Sequence, residues 1–498
     1  MTDWPLLSAV TFLPLAGALL IALIPKESER LVRTAALAVS LATFAVSAVI
    51  LQAFQAGVAE FQLVEKVRWI PSSGASYHLG IDGISLWMVM LTTLLFPLSI
   101  LASWQVTKKV KTFHVVLLVL ETSILGVFLA LDLLLFYVFW EGMLIPMYFI
   151  IGVWGYERRV YAAIKFFLYT LTASLLMLVG IIGLYSLGGG TFDLTQLMSA
   201  PIPKGTQMWL FLAFFLSFAV KVPIFPFHTW LPDAHTEAPT AGSVILAGVL
   251  LKMGAYGFLR FSIPLFPDAA REWAPWLAIL GVIGIIYGGL VSIVQKDLKR
   301  LVAYSSVSHL GFVVLGISAL NVVGTSGSVL QMLNHGLSTG ALFLLIGMLY
   351  QRAHTRQIED FGGIAQLMPV FSGLFLLATF ASIGLPGLNG FVGEFLILNG
   401  AFEANEWTAG IAAFGLVLAA IYLLWAYERV FHGEIRAPHH DRPSVWRDIR
   451  GRELIVIAPI AFLLVFVGLY PKPILDRIEP SVEQMLVRIT APSEVAAR

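Results

Sequence analysis

The chain has 498 residues, of which 58% are hydrophobic and only 12% charged, with a formal net charge of +1 and a mean hydropathy of +0.86. Soluble globular domains carry about 25% charged residues, so this composition excludes one and points to a chain that crosses a membrane many times; the near-zero net charge argues against a nucleic-acid partner. The absence of cysteine excludes disulfides, thiolate-held iron–sulfur clusters and covalently attached haem, and no redox centre is expected in the chain.

Apolar runs of roughly 17–25 residues, the length that spans a bilayer, are expected near 5–24, 31–52, 79–104, 113–130, 133–153, 161–186, 207–230, 240–262, 273–294, 300–319, 326–350, 369–400, 408–431 and 453–470. The reading is an all-α integral membrane protein with about fourteen transmembrane helices and no strands. The opening MTDWPLLSAVTFLPLAGALL lacks a basic stretch, so it reads as the first membrane helix and not as a cleaved leader. The longest loops, near 53–78 and 432–452, are too short for a soluble domain.

Lys and Arg follow the odd-numbered segments, as in Lys108/Lys109/Lys111, Arg158/Arg159, Lys296/Lys299/Arg300 and Arg442/Arg447/Arg450, whereas only Lys66, Arg68, Lys204 and Arg271 follow the even ones. The positive-inside rule then places the odd loops in the cytoplasm and both termini on the opposite side. The seventh segment holds Pro223, Pro226, Pro232 and Pro239 around its end, and the twelfth holds Pro386 between glycines. Prolines remove backbone donors and disfavour helix before them, so both segments are expected to be broken at membrane depth. Two interrupted segments five apart point to two inverted five-helix repeats. The expected division is 1–112 for helices 1–3, 113–262 for the first repeat, 263–431 for the second, and 432–498 for a cytoplasmic loop, helix 14 and a tail.

Ionisable residues inside these segments are the candidates for chemistry. A lysine at the centre of a membrane helix costs roughly 2.5–3.5 kcal/mol on insertion scales, so Lys221 and Lys252 imply compensation or a use. Glu141, in LLLFYVFWEGMLIPMYF, is the acid expected to pair with Lys221. His309 in AYSSVSHLGFVVLG, His335 in QMLNHGLSTGALF and Glu394 just beyond the second break continue the series, and histidine exchanges protons near neutrality. Glu141, Lys221, Lys252, His309, His335 and Glu394 thus read as a proton pathway, one group per helix. His228 lies seven residues after Lys221 and would share its face in a continuous helix. His235, Asp233 and Glu237 are expected in a solvated connection, Asp132 as the cap of the fifth helix, and the Lys296–Arg300 cluster as a topology anchor.

FAVKVPIFPFHTWLPDAHTEAP, VLLKMGAYGFLR, KDLKRLVAYSSVSHLGFVVLG, QMLNHGLSTGALFLLIGMLY and LPGLNGFVGEFLIL resemble the antiporter-like membrane subunits of respiratory complex I, the proton-pumping NADH:quinone oxidoreductase. Within that group the bacterial subunit M pattern, shared with mitochondrial chain 4, is nearest: Glu394 stands where sister subunits and related sodium/proton antiporter proteins carry lysine, and no long lateral helix follows. The resemblance implies the same fourteen-helix fold, pairing of Lys221 with Glu141, a link between halves at Lys252, and exit near Glu394. It also implies a bacterial inner-membrane location beside other membrane-arm subunits and lipid, with NAD, FMN, iron–sulfur clusters and quinone held in partner subunits. No G-x-G-x-x-G after a strand is present to bind a dinucleotide here. Sodium/proton antiport, a membrane-bound hydrogenase subunit of the same fold, and a purely structural membrane subunit are the alternative readings.

Overall fold

The structure, a computed structural model, describes residues 4–438 and 445–490. Among these residues twelve helices are long and apolar enough to cross a membrane. In the first half the helices are α1 (Leu6–Leu23), α2 (Glu29–Ala53), α3 (Gly83–Ala102), α4 (Val110–Leu129), α5 (Leu133–Trp154), α6 (Arg159–Leu187), α7 (Lys204–Lys221), α8 (Trp230–Glu237) and α9 (Thr240–Leu265). The second half contributes α10 (Pro267–Ile293), α11 (Leu298–Ser318), α12 (Val322–Ala353), α13 (Pro369–Ile383), α14 (Asn389–Ala404), α15 (Glu406–Phe431), α16 (Arg452–Leu469) and α17 (Lys472–Thr490).

Both expected interruptions are present. α7 stops at Lys221, the chain runs irregularly through the prolines, and α8 resumes at Trp230. Trp230 Nε1 donates to the Val220 carbonyl at 2.8 Å, filling an acceptor that the break leaves open. α13 ends at Gly384, whose φ of 81° only glycine adopts without strain, and α14 starts at Asn389 beyond Pro386.

Short acids fix the helix starts. Asp82, Asp132 and Asp297 each accept two backbone amides at the first turns of α3, α5 and α11, so Asp132 is the cap its position suggested. The regular hydrogen bonding of α5 is interrupted at Met143, two residues after Glu141.

Two expectations fail at one end of the bundle. The loop after α2 contains an antiparallel hairpin, β1 (Gln62–Ile70) with β2 (Ala75–Ile81), where no strand was expected. Its turn is closed by Gly74 at φ 70°, and it is anchored by Glu65, which accepts the Leu7 amide at 2.7 Å and caps α1. Glu65, Lys66 and Arg68 lie within β1, which lowers its mean hydropathy and hides it among loops. The expected tail is in fact α17, which lays Ile474, Ile478, Val482 and Leu486 against the bundle and accepts the Gly83 amide on Ser481 Oγ at 3.0 Å.

Burial separates the helices by role. The membrane windows of α9, α11 and α12 are 100%, 94% and 100% buried, whereas those of α2 and α16 are 28%. α9, α11 and α12 therefore form the interior pillar, and it is they that carry Lys252, His309 and His335.

Candidate functional site

Lysine in hydrocarbon must find partners within the protein, so its surroundings follow from what the pillar offers. Lys252 sits on α9 between two π-helical turns, Leu246–Leu250 and Phe258–Ser262. The Leu251 amide reaches five residues back to Leu246 instead of to Ala247, and Lys252 Nζ donates to the Ala247 carbonyl. Its second contact is His335 Nδ1 on α12, at 2.7 Å. Two cations so close would repel strongly, so the lysine and the imidazole are not both charged at once.

From there the row continues across one contact between rings that no hydrogen bond bridges. The rings of His335 and His309 are 5.7 Å apart, and His309 Nδ1 is 3.0 Å from Glu394 Oε1. The same oxygen accepts from Gln331 Nε2 at 3.0 Å, and the Tyr422 hydroxyl lies 3.4 Å from His309 Nε2. Asn334 and Asn389 clamp the second break, with Asn334 Nδ2 donating to Asn389 O at 2.7 Å and Asn389 Nδ2 to Asn334 O at 3.2 Å. No member of the row is more than 4% exposed. His335 Nε2 and Glu394 Oε2 have no protein partner, and buried atoms of that kind in native proteins bind ordered water.

In the first half the arrangement differs from expectation. Lys221 Nζ donates to Met143 Sδ at 3.5 Å and lies 5.2 Å from the Trp140 ring and 5.6 Å from the Phe166 ring. The thioether and the aromatic faces occupy the space beside the ammonium, so the direct ion pair with Glu141 is not formed. Glu141 is partly buried, with Oε1 unpartnered, and acts on Lys221 through space. His228 is buried within the irregular stretch, 4.9 Å from the Tyr287 ring, and neither nitrogen has a partner. Because α7 ends at Lys221, the shared face expected of His228 does not exist.

The sequence reading missed the burial of His235 and Lys299 and did not single out Glu121. His235 is helical and 0% exposed, stacked on Phe343 at 4.9 Å, not solvated in a loop. Lys299, expected as part of a topology anchor, is 3% exposed, donates to the Ala238 carbonyl and lies 5.0 Å from the Tyr156 ring. Beside it Arg356 pairs with Asp297 at 3.1 Å and donates to Thr236 O at 2.7 Å, so two cations hold the carbonyls at the end of α8. Glu121 is fully buried in α4 with both oxygens unpartnered. Gln331, Asn334 and His335 occupy one face of α12 at spacings of three and four, a polar stripe that QMLNHG could have shown.

Residues 130–421 match the family described as NADH:quinone oxidoreductase/Mrp antiporter, TM, and residues 14–129 match the NADH-ubiquinone oxidoreductase chain 4 amino terminus. An NADH-quinone oxidoreductase subunit M of Rhodobacter capsulatus is 47% identical over 97% of this chain and 96% of its own length. An NADH-ubiquinone oxidoreductase chain 4 of Arabidopsis thaliana is 47% identical over 96% of this chain and 97% of its own. A chain in the structure of respiratory complex I from Thermus thermophilus with bound NADH superposes with a TM-score of 0.89 at 32% identity, covering 97% of this chain and 100% of that one. A chain of the Mrp complex from Dietzia sp. shares the fold, with a TM-score of 0.83 at 20% identity over 98% of this chain and 100% of its own. Matched along nearly its whole length, this multi-pass membrane chain belongs to the NADH:quinone oxidoreductase/Mrp antiporter family of transmembrane proteins.

Proposed function

We propose that this chain is the subunit-M-type proton-translocating member of a bacterial NADH:quinone oxidoreductase, lying in the inner membrane beside other membrane-arm subunits. The observation that carries the reading is the buried row Lys252–His335–His309–Glu394, whose members touch or nearly touch from the centre of α9 to the second helix break. Groups that exchange protons near neutrality, held in contact inside the most buried helices, form a relay. The broken pairs α7/α8 and α13/α14 count as single crossings, which makes fourteen with both termini on the non-cytoplasmic side. The expected domain limits then enclose two inverted repeats, with Lys221 at the first break and Glu394 at the second.

In this mechanism a change driven from partner subunits alters how strongly Glu141 acts on Lys221. The lysine then yields or takes a proton, and a proton held by Lys252 or His335 moves toward His309 and Glu394. The unpartnered atoms His335 Nε2 and Glu394 Oε2 are where water would complete the wire. Oxidation of NADH and reduction of quinone, with FMN and iron–sulfur clusters, belong to the partners, and this chain contributes no redox centre. Glutamate at 394 with a histidine on it, in place of an oxygen-rich cation shell, favours protons over sodium.

The test is NADH-driven proton uptake by inverted membrane vesicles carrying Lys221→Met or Lys252→Met, with assembly followed on a native gel. Assembled complexes in which uptake and coupled quinone reduction fall together support the relay. Assembled complexes that pump normally overturn it, and loss of assembly in both variants moves the reading to a structural role.

A further inference from the structure

His309 is held at both of its ring nitrogens, and the two partners differ in kind. Nδ1 lies 3.0 Å from Glu394 Oε1, an oxygen that also accepts from Gln331 Nε2 at 3.0 Å. An oxygen that accepts there is not the donor, so Nδ1 carries the hydrogen and donates to it. A neutral imidazole with its hydrogen on Nδ1 keeps a lone pair on Nε2. Beside that lone pair is the Tyr422 hydroxyl of α15, at 3.4 Å. Tyr422 is 1% exposed, so its hydroxyl has no bulk water to turn to.

The hydroxyl has a second acceptor within reach. Ser305 stands one helical turn before His309 on the same face of α11, and its Oγ is the other hydrogen-bonding group open to Tyr422. Ser305 Oγ donates its own hydrogen to Val302 O at 2.8 Å, which leaves its lone pairs for Tyr422. One hydrogen cannot fully serve two acceptors. The 3.4 Å separation from Nε2 is long for a committed bond and fits a hydroxyl divided between them.

A proton that reaches His309 from the His335 side must land on Nε2, because Nδ1 already carries a hydrogen. While the Tyr422 hydrogen points at Nε2, the lone pair is occupied; once it points at Ser305, the lone pair is open. When a proton then bonds to Nε2, the Nδ1–H bond breaks as an O–H bond forms on Glu394. The imidazole is left neutral with its hydrogen on Nε2, which donates to the Tyr422 oxygen. The phenol therefore complements His309 both before the step and after it.

We propose that Tyr422 is a positioning residue of the relay: its hydroxyl hydrogen turns between His309 Nε2 and Ser305 Oγ, and so decides when His309 takes up a proton. This role rests on the reading of Lys252, His335, His309 and Glu394 as a proton path.

The experiment measures NADH-driven proton uptake by inverted membrane vesicles across a pH series, normalised to assembled complex on a native gel, for wild type, Tyr422→Phe and Ser305→Ala. Besides Tyr422, the titratable groups facing His309 are Glu394 of α14 and His335 of α12, with Lys252 of α9 behind it, and both variants leave them in place. A hydroxyl that points at Nε2 opposes protonation there. Tyr422→Phe removes the opposition, so the alkaline fall in uptake is expected to move up by about half a pH unit. Ser305→Ala leaves the hydroxyl to His309 alone, and the fall is expected to move down by about the same amount. A packing defect would lower the rate without moving the two profiles apart. Profiles of assembled complexes that stay unmoved, or that move the same way, overturn the proposal. If Tyr422→Phe does not assemble, Ser305→Ala decides alone: a downward movement supports the switch and an unmoved profile overturns it. Lys252→Met measured alongside separates the two readings. Where it abolishes uptake while both profiles match wild type, the relay stands and the switch falls; where it pumps normally, the relay falls and the switch with it.

Discussion

Single charged side chains in this molecule are costly to bury, and several of them have a partner that accounts for their position. Asp82 caps α3 and also receives Arg260 Nη2 at 2.5 Å, with Tyr256 donating onward to Phe128 O at 2.9 Å. Leaving one partner of such a pair uncompensated costs about 3–5 kcal/mol, so Asp82→Asn is expected to lower the thermal midpoint of the solubilised complex steeply. Asp193 offers a finer test because it lies outside the membrane, in the connection before α7. Burial raises its pKa, but hydrogen bonds from His78, Lys66 and Thr195 outweigh burial and hold the carboxyl well below the ordinary carboxylate range. A carboxyl with a depressed folded pKa stabilises fully above its unfolded pKa of about 3.9, and that stabilisation fades as the pH drops through the folded value. Asp193→Asn keeps an acceptor for the Thr195 amide but forfeits the charge. It is expected to cost about 1–3 kcal/mol at pH near 7 and progressively less below the carboxylate range, read as thermal midpoints of variant and wild type across that series. A difference that does not change with pH would show that the hairpin is held by packing and not by this charge.

At the level of elements, the widened turns beside Lys252 are the feature with the clearest consequence. A π-turn contains one residue more than an α-turn, so deleting Val249 converts Leu246–Leu250 to regular helix while the flanking residues keep their facing. A deletion in regular helix would instead rotate everything beyond it by about 100°. With Ala247 O returned to the backbone ladder, Lys252 loses one of its two contacts. The Val249 deletion is expected to assemble on a native gel yet to show NADH-driven proton uptake reduced severalfold, and normal uptake would mean that the released carbonyl has no part in the relay. None of this could be read in LAGVLLKMGAYG, where glycines occur without the punctuation that proline gives. The two breaks were legible because Pro226 and Pro386 have only a few tolerable backbone positions, and Lys221, Lys252, His309, His335 and Glu394 were legible because charge stands out in hydrocarbon. Gln331 and Asn334 show only through their spacing with His335 on α12, and Tyr422 not at all, since an uncharged polar residue barely shifts a hydropathy window. The hairpin was missed for the opposite reason, its charges being mistaken for loop. The Glu141–Lys221 contact was expected from sign and from the resemblance, but the Met143 thioether and the Trp140 and Phe166 rings stand beside the ammonium instead.

Across the whole molecule, the most buried helices also hold the joint between the halves: Lys252 on α9 meets His335 on α12, while Lys221 and Glu394 lie at the two breaks on either side. Two arrangements of function are compatible with that layout. In one, Lys221 feeds a single path that runs through Lys252 to Glu394; in the other, each half moves protons on its own and the contact at the joint only packs them together. Their consequences differ for variants in combination, because losses of flux through separate channels add whereas losses within one path do not accumulate. The contacts from Lys252 to Glu394 favour one path. Lys221→Met combined with Glu394→Gln is therefore expected to pump no more slowly than the worse of the two single variants, with uptake normalised to assembled complex. A double variant whose loss equals the sum of the single losses would place the two breaks in separate channels, and the 2.7 Å contact between Lys252 and His335 would then serve to couple their conformations without carrying the proton between them.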